Sequence, residues 1–138
     1  MVKLHVREAD SAQVAAVLAA QQEIAVVSQL VETELWSTLI AKELNRQVPR
    51  GFAQIALGKY RQSLADGLLL GVAVNARVHE AAEEAVQRCA RGRAGFALRA
   101  MDALHLGTAL ISHCDTVVST DLRQRQGAVM LGLRVLPA

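Results

Sequence analysis

Apolar and polar residues follow one another in short blocks whose period switches between that of a strand and that of a helix. Val2 to Val6 alternates apolar with polar, the period of a half-buried strand. From Ser11 to Ala20, Val14, Val17 and Leu18 stand among alanines, which predicts a helix capped by Asp10 or Ser11. Ile24 to Val27 is a β-branched run of the kind buried parallel strands use, and Ser28 stands where it can cap the next helix. That helix is expected over Gln29–Asn45, with Leu30, Leu35, Leu39 and Leu44 near helical spacing. Pro49-Arg50-Gly51 then breaks the chain, and another helix covers Phe52–Ala65. Leu68 to Leu70 returns to strand character and extends toward Val74, and Asn75 opens a helix through Arg91. A loop at 91–95, a helix over Leu98–Ser112, a strand over Thr116–Ser119, a helix over Leu122–Leu131 and a strand over Leu133–Leu136 complete the order.

Strands alternating with helices predict an α/β fold around a mainly parallel sheet, because each parallel strand needs a crossover and helices supply it. The 138 residues make one domain, with no repeat, linker or low-complexity segment. A 52% apolar composition supplies a sizeable core, and 3% aromatics leave Ala, Val and Leu to build it. So few aromatics argue against a stacking platform for exposed bases. The net charge of +2 does not announce nucleic acid or an anionic membrane. Cys89 and Cys114 lack C-x-x-C spacing and read as small buried hydrophobes in a reducing compartment. The longest apolar run, Leu68 to Val74, is far short of a membrane span, and the N-terminus lacks a signal-like apolar region. A soluble cytoplasmic protein is the expectation.

There is no Gly-rich phosphate loop, no G-x-S-x-G and no histidine pair at ligand spacing. Three carboxylates stand out instead. Asp102 interrupts the apolar stripe that positions 98, 102, 106 and 109 form on one helical face. It reads equally as an acid at a helix start, favoured by the dipole or paired with Arg99. Asp121 follows a predicted strand, where α/β sites assemble, and its plainer role is the N-cap of the next helix. Glu34 and Glu32 both lie in the first turns of their helix, and spacing alone prefers neither. Were three such acids to converge, their repulsion would call for a cation, and oxygen ligands select Mg²⁺ or Mn²⁺. That combination suits phosphodiester hydrolysis.

Four segments, Val2 to Glu8, Val27 to Leu35, Leu98 to Leu106 and Val118 to Asp121, resemble in order the motifs of the PIN domain family, closest to VapC-type toxins. The most specific stretch is Arg99-Ala100-Met101-Asp102-Ala103-Leu104-His105-Leu106, and the similarity covers essentially the whole chain. The resemblance implies a three-layer fold, a mainly parallel sheet flanked by helices, and Mg²⁺- or Mn²⁺-dependent ribonuclease activity on RNA. It also implies neutralisation by a small VapB-type antitoxin. It picks Glu34 over Glu32 and makes Asp102 and Asp121 the other metal-site acids, with Ser119 orienting water or a ligand.

By this resemblance, the family's opening strand, which ends in an Asp-Thr-Ser-like motif and supplies the first metal-binding Asp, is expected to be missing from this chain. Val2-Lys3-Leu4 corresponds to the segment just after that strand. The alignment places Val2–Val6 at a helix entry, against its strand-like alternation. A start at an internal methionine is the favoured explanation, and a decayed PIN protein that keeps antitoxin-binding or self-association surfaces is the alternative. Either way the expectation is an impaired enzyme and a homodimer or higher oligomer, since a lost central strand leaves pairing edges open. A small α/β domain binding an acidic ligand through its arginines is a third reading.

Arg99 could reach a phosphate near Asp102, whereas Arg91 and Arg93 read as a solvated loop. His105 is expected to pack or hydrogen-bond within its own helix, and Trp36 to pack in the core or a dimer contact.

Overall fold

The computed structural model describes residues 11–20, 24–92 and 95–137. Val2–Val6 and the Asp10 cap lie outside the described residues. Within them the order is α1 (Ser11–Ala20), β1 (Ala25–Ser28), α2 (Leu30–Leu44), α3 (Phe52–Ala65), β2 (Leu69–Val72), α4 (Ala76–Arg91), α5 (Ala100–Ile111), β3 (Thr116–Val118), α6 (Leu122–Met130) and β4 (Arg134–Leu136). The expected α/β alternation is therefore present, with ends displaced by a residue or two. Ile24 falls outside β1, and β2 stops at Val72, short of Val74.

Local chemistry explains the firm boundaries. Asn75 is extended and its side chain accepts from the Val78 N–H, satisfying one of the donors a helix start leaves orphaned. Gly51, at φ 83°, turns the chain into α3 but has no side chain to cap it. Glu43 supplies the missing acceptor from α2: its Oε1 takes the Ala53 N–H at 2.6 Å. At the exit of β1, Ser28 accepts from the Leu30 N–H at 3.3 Å, although Gln29 occupies the N-cap position itself.

Both strand pairings are parallel. β1 pairs with β2, Ala25 opposite Leu69 and Ser28 opposite Val72. β3 pairs with β4, Thr116 opposite Arg134 and Val118 opposite Leu136. The crossovers are α2 with α3 in the first pair and α6 in the second, as parallel pairing requires. The pattern predicts one sheet; among the described residues the strands form two two-stranded sheets. Strands of three or four residues carry few ladder bonds, so the helices must hold most of the structure together.

Among the described residues, apolar side chains at helical spacing build two cores. Leu35 and Leu39, one turn apart on α2, are fully buried against Val27 of β1 and the α3 face of Ala53, Ala56, Leu57 and Tyr60. Each of these leucines contributes about 1.5–3 kcal/mol by leaving water. The second core joins Ala82, Ala85 and Cys89 of α4, Ala103 and Leu106 of α5, Ala128 of α6, and Leu131 and Leu133 beyond it. Cys89 is buried as expected, burial pushes its thiol pKa up, and Cys114 is only partly buried. Trp36 departs from the core reading: it is 38% exposed.

Helix α5 joins the two halves, packing on α4 and also on β1. Its approach to α4 depends on Gly107, where an added Cβ would stand 2.7 Å from the Val78 carbonyl oxygen and 2.9 Å from the Ala82 nitrogen. No helix among the described residues is long and apolar enough to cross a membrane.

Candidate functional site

Two strand ends and one helix start deliver the acids. β1 ends at Ser28, and Glu34 follows just past the first turn of α2. Arg99 is the extended N-cap of α5, which puts Asp102 in that helix's first turn. β3 ends at Val118, and Asp121 is the N-cap of α6, accepting from the N–H groups of Arg123 and Gln124. The capping role expected of Asp121 is thus present. It uses Oδ1 and leaves Oδ2 facing the Arg99 guanidinium at 4.0 Å.

Asp102 lies in the electrostatic field of both other acids. Its carboxyl pKa is raised, first by burial and then by the Asp121 charge; Arg99 and His105 pull it down, and Glu34 pushes it up. Its Oδ2 is buried and, among the described residues, has no hydrogen-bond partner. A buried carboxylate oxygen without a donor is costly, and neighbouring acids make the cost worse. The dipole-favoured helix-start role accounts for the position of Asp102 in the first turn but not for this orphaned oxygen. The ion pair of Arg99 goes to Asp121 rather than to Asp102.

Glu34 and Glu32, indistinguishable by spacing, part company here. Glu32 accepts from Arg61 of α3, whereas Glu34 turns toward α5 and meets His105, Oε2 to Nε2 at 2.8 Å. His105 therefore does not confine its bonding to its own helix: its partner is 71 residues away. A carboxylate can only accept, so Nε2 carries the hydrogen. Periodicity offered one signal for this histidine, its place three residues after Asp102, on the same helical face.

Ser119 uses its hydroxyl to accept the Asp121 N–H at 3.1 Å, so its hydrogen bond is to backbone that positions the acid. Arg125, which sequence reasoning passed over, donates to the carbonyls of Ser119 and Pro137, both at 2.8 Å, and fixes the loop between β3 and α6. Arg123 reaches back toward the Ala97 carbonyl at 3.5 Å, beside the entry to α5. Arg91 is exposed at the end of α4, and Arg93 lies outside the described residues.

In residue chemistry alone, three carboxylates suit a hard divalent cation, and one of them has a buried oxygen without a partner among the described residues. Among the described residues, no group of three His, Cys, Asp or Glu side chains is placed to hold a metal ion. Two clefts lie elsewhere, one lined by Ile40, Leu44, Arg46 and Pro49, the other by Gln29, Trp36, Leu57 and Arg61.

No curated protein and no solved structure matches the chain. One family model does, that of the PIN domain, over residues 1–129. A match of that extent carries the general expectation of nuclease chemistry on RNA with divalent metal. The chain belongs to the PIN domain family.

Proposed function

We propose that this protein is a Mg²⁺- or Mn²⁺-dependent endoribonuclease of the VapC toxin type, with Glu34, Asp102 and Asp121 as the metal-holding acids. The observation that carries the reading is the buried Oδ2 of Asp102, which has no hydrogen-bond partner among the described residues, on a carboxyl whose pKa is raised first by burial and then by the Asp121 charge. Arg99 and His105 offset part of the cost of that charge, and a bound cation would meet the rest.

The chemistry a divalent cation supplies in this setting is polarisation of a phosphoryl oxygen and activation of water at neutral pH. The chain's own residues divide the remaining work. Arg99, 61% exposed at its side chain, offers a guanidinium to an RNA phosphate beside the acids. Ser119 and Arg125 hold the loop that presents Asp121. This reading takes the two parallel strand pairs as parts of one sheet between helical layers. It includes a VapB-type antitoxin as partner, a homodimer or higher oligomer, and a cytoplasmic setting.

The test is RNA cleavage with added Mn²⁺ by the purified protein and by Asp102→Asn. Cleavage that disappears in the variant supports the reading. Cleavage unchanged by Asp102→Asn overturns the site. Mn²⁺ binding that depends on Asp102 but is accompanied by no cleavage favours the alternative, an inactive PIN-like protein that keeps its binding surfaces. Co-purification with the product of a neighbouring gene, followed by light scattering, tests the antitoxin and the oligomer.

A further inference from the structure

We infer that His105 is a positioning residue that holds the Glu34 carboxylate in place for the cation, an inference that rests on the proposed metal site. Three observations lead to it. The first is the bond itself, Nε2 to Oε2 at 2.8 Å, joining helices α2 and α5. The second is the difference in burial: the His105 side chain is 17% exposed and that of Glu34 39%. The packed ring is the fixed member of the pair and the glutamate the movable one, so the bond orients Glu34 rather than the reverse. The third is the place of His105 on its helix, one turn beyond Asp102. The helix that carries one acid thereby also sets the second acid, which arrives from the other half of the molecule.

Glutamate has three rotatable side-chain bonds, and freezing them costs entropy each time a cation binds. A ring donor that freezes them beforehand removes part of that cost, as donors behind metal ligands do elsewhere. With Oε2 accepting from His105, Oε1 would be the Glu34 oxygen left for a cation. The imidazole Nε2–H also opposes the mutual repulsion of the acids, since it places positive hydrogen density between α2 and α5.

The experiment measures Mn²⁺ affinity by calorimetry in the wild type, Asp102→Asn, His105→Leu and His105→Gln, with thermal melting of each. His105→Leu keeps bulk but removes the donor, and it is expected to weaken Mn²⁺ binding by about 10–100-fold. His105→Gln, whose amide nitrogen reaches roughly where Nε2 stands, is expected to restore most of that loss. A purely structural histidine would lower the melting temperature in both variants without the affinity following the donor. Because His105→Leu could fail to fold, nuclear magnetic resonance of the wild-type imidazole gives a second readout. The Nε2–H signal should shift on Mg²⁺ addition with the midpoint of binding. An unchanged affinity in His105→Leu, or an imidazole signal indifferent to Mg²⁺, overturns the inference while Asp102→Asn still loses the metal. Wild-type protein that binds no Mn²⁺, or Asp102→Asn that binds it equally well, overturns the site reading and this inference with it.

Discussion

Asp121 shares its two oxygens between two tasks: Oδ1 caps α6, and Oδ2 faces Arg99. Substitutions can separate them. Asp121→Asn keeps an oxygen for the cap, so its unfolding curve in denaturant should stay near that of the wild type while Mn²⁺ affinity falls. Asp121→Ala loses both, and about 1 kcal/mol of stability should go with the cap. Asp102 gives a pH-dependent outcome. Its folded-state pKa is raised above the unfolded one by burial and by Asp121. The resulting penalty is absent below the unfolded value and complete above the folded one. Asp102→Asn should therefore melt higher than the wild type in metal-free buffer at neutral pH, with the gap closing as pH falls through the carboxylate range. A gap that stayed constant or widened on acidification would contradict this. At this scale the sequence made Asp102 legible, because an acid interrupting an apolar stripe is visible in the helical period. Glu34 against Glu32 was not legible from spacing. Their difference lies in Arg61 on α3 and His105 on α5, contacts made across 29 and 71 residues.

Among the elements, α5 carries the most demanding fit. Alanine favours a helix over glycine by about 1 kcal/mol, so Gly107→Ala would stabilise an isolated α5. Packed on α4, the new methyl meets backbone at Val78 and Ala82, which cannot swing aside as a side chain can. Overpacking costs about 1–3 kcal/mol and wins. The expected outcome is a net loss of up to about 2 kcal/mol in chemical denaturation, with the helix content of the folded state unchanged. The Phe52–Ala65 helix was legible to the residue because Pro49 and Gly51 punctuate its start locally. The strands were less so: β1 drops Ile24 and gains Ser28 because a ladder partner, Val72, decides where pairing ends. Period alone gives no pairing partners, which is why one sheet is expected and, among the described residues, two parallel pairs are found.

Over the whole molecule, the acids divide between the two cores. Glu34 rides on α2, which packs into the core around Tyr60; Asp102 and Asp121 belong to the side built around Leu106. A cation held by all three would stabilise the folded state through mass action, by about 2.7 kcal/mol at a hundred times its dissociation constant. Mn²⁺ should therefore raise the melting temperature of the wild type and leave that of Asp102→Asn unmoved. The division into two cores also bears on how the protein opens. Each core with its strand pair is a candidate cooperative unit, able to unfold on its own at less than the global cost. Glu34 lies in one unit and the other two acids in the other, so bound metal would penalise any opening that separates them. In hydrogen exchange, amides of α2 and α3 on one side and of α4 to α6 on the other should show different protection in chelator. Adding Mn²⁺ should draw the two levels together, because a cation spanning the units turns two separate openings into one.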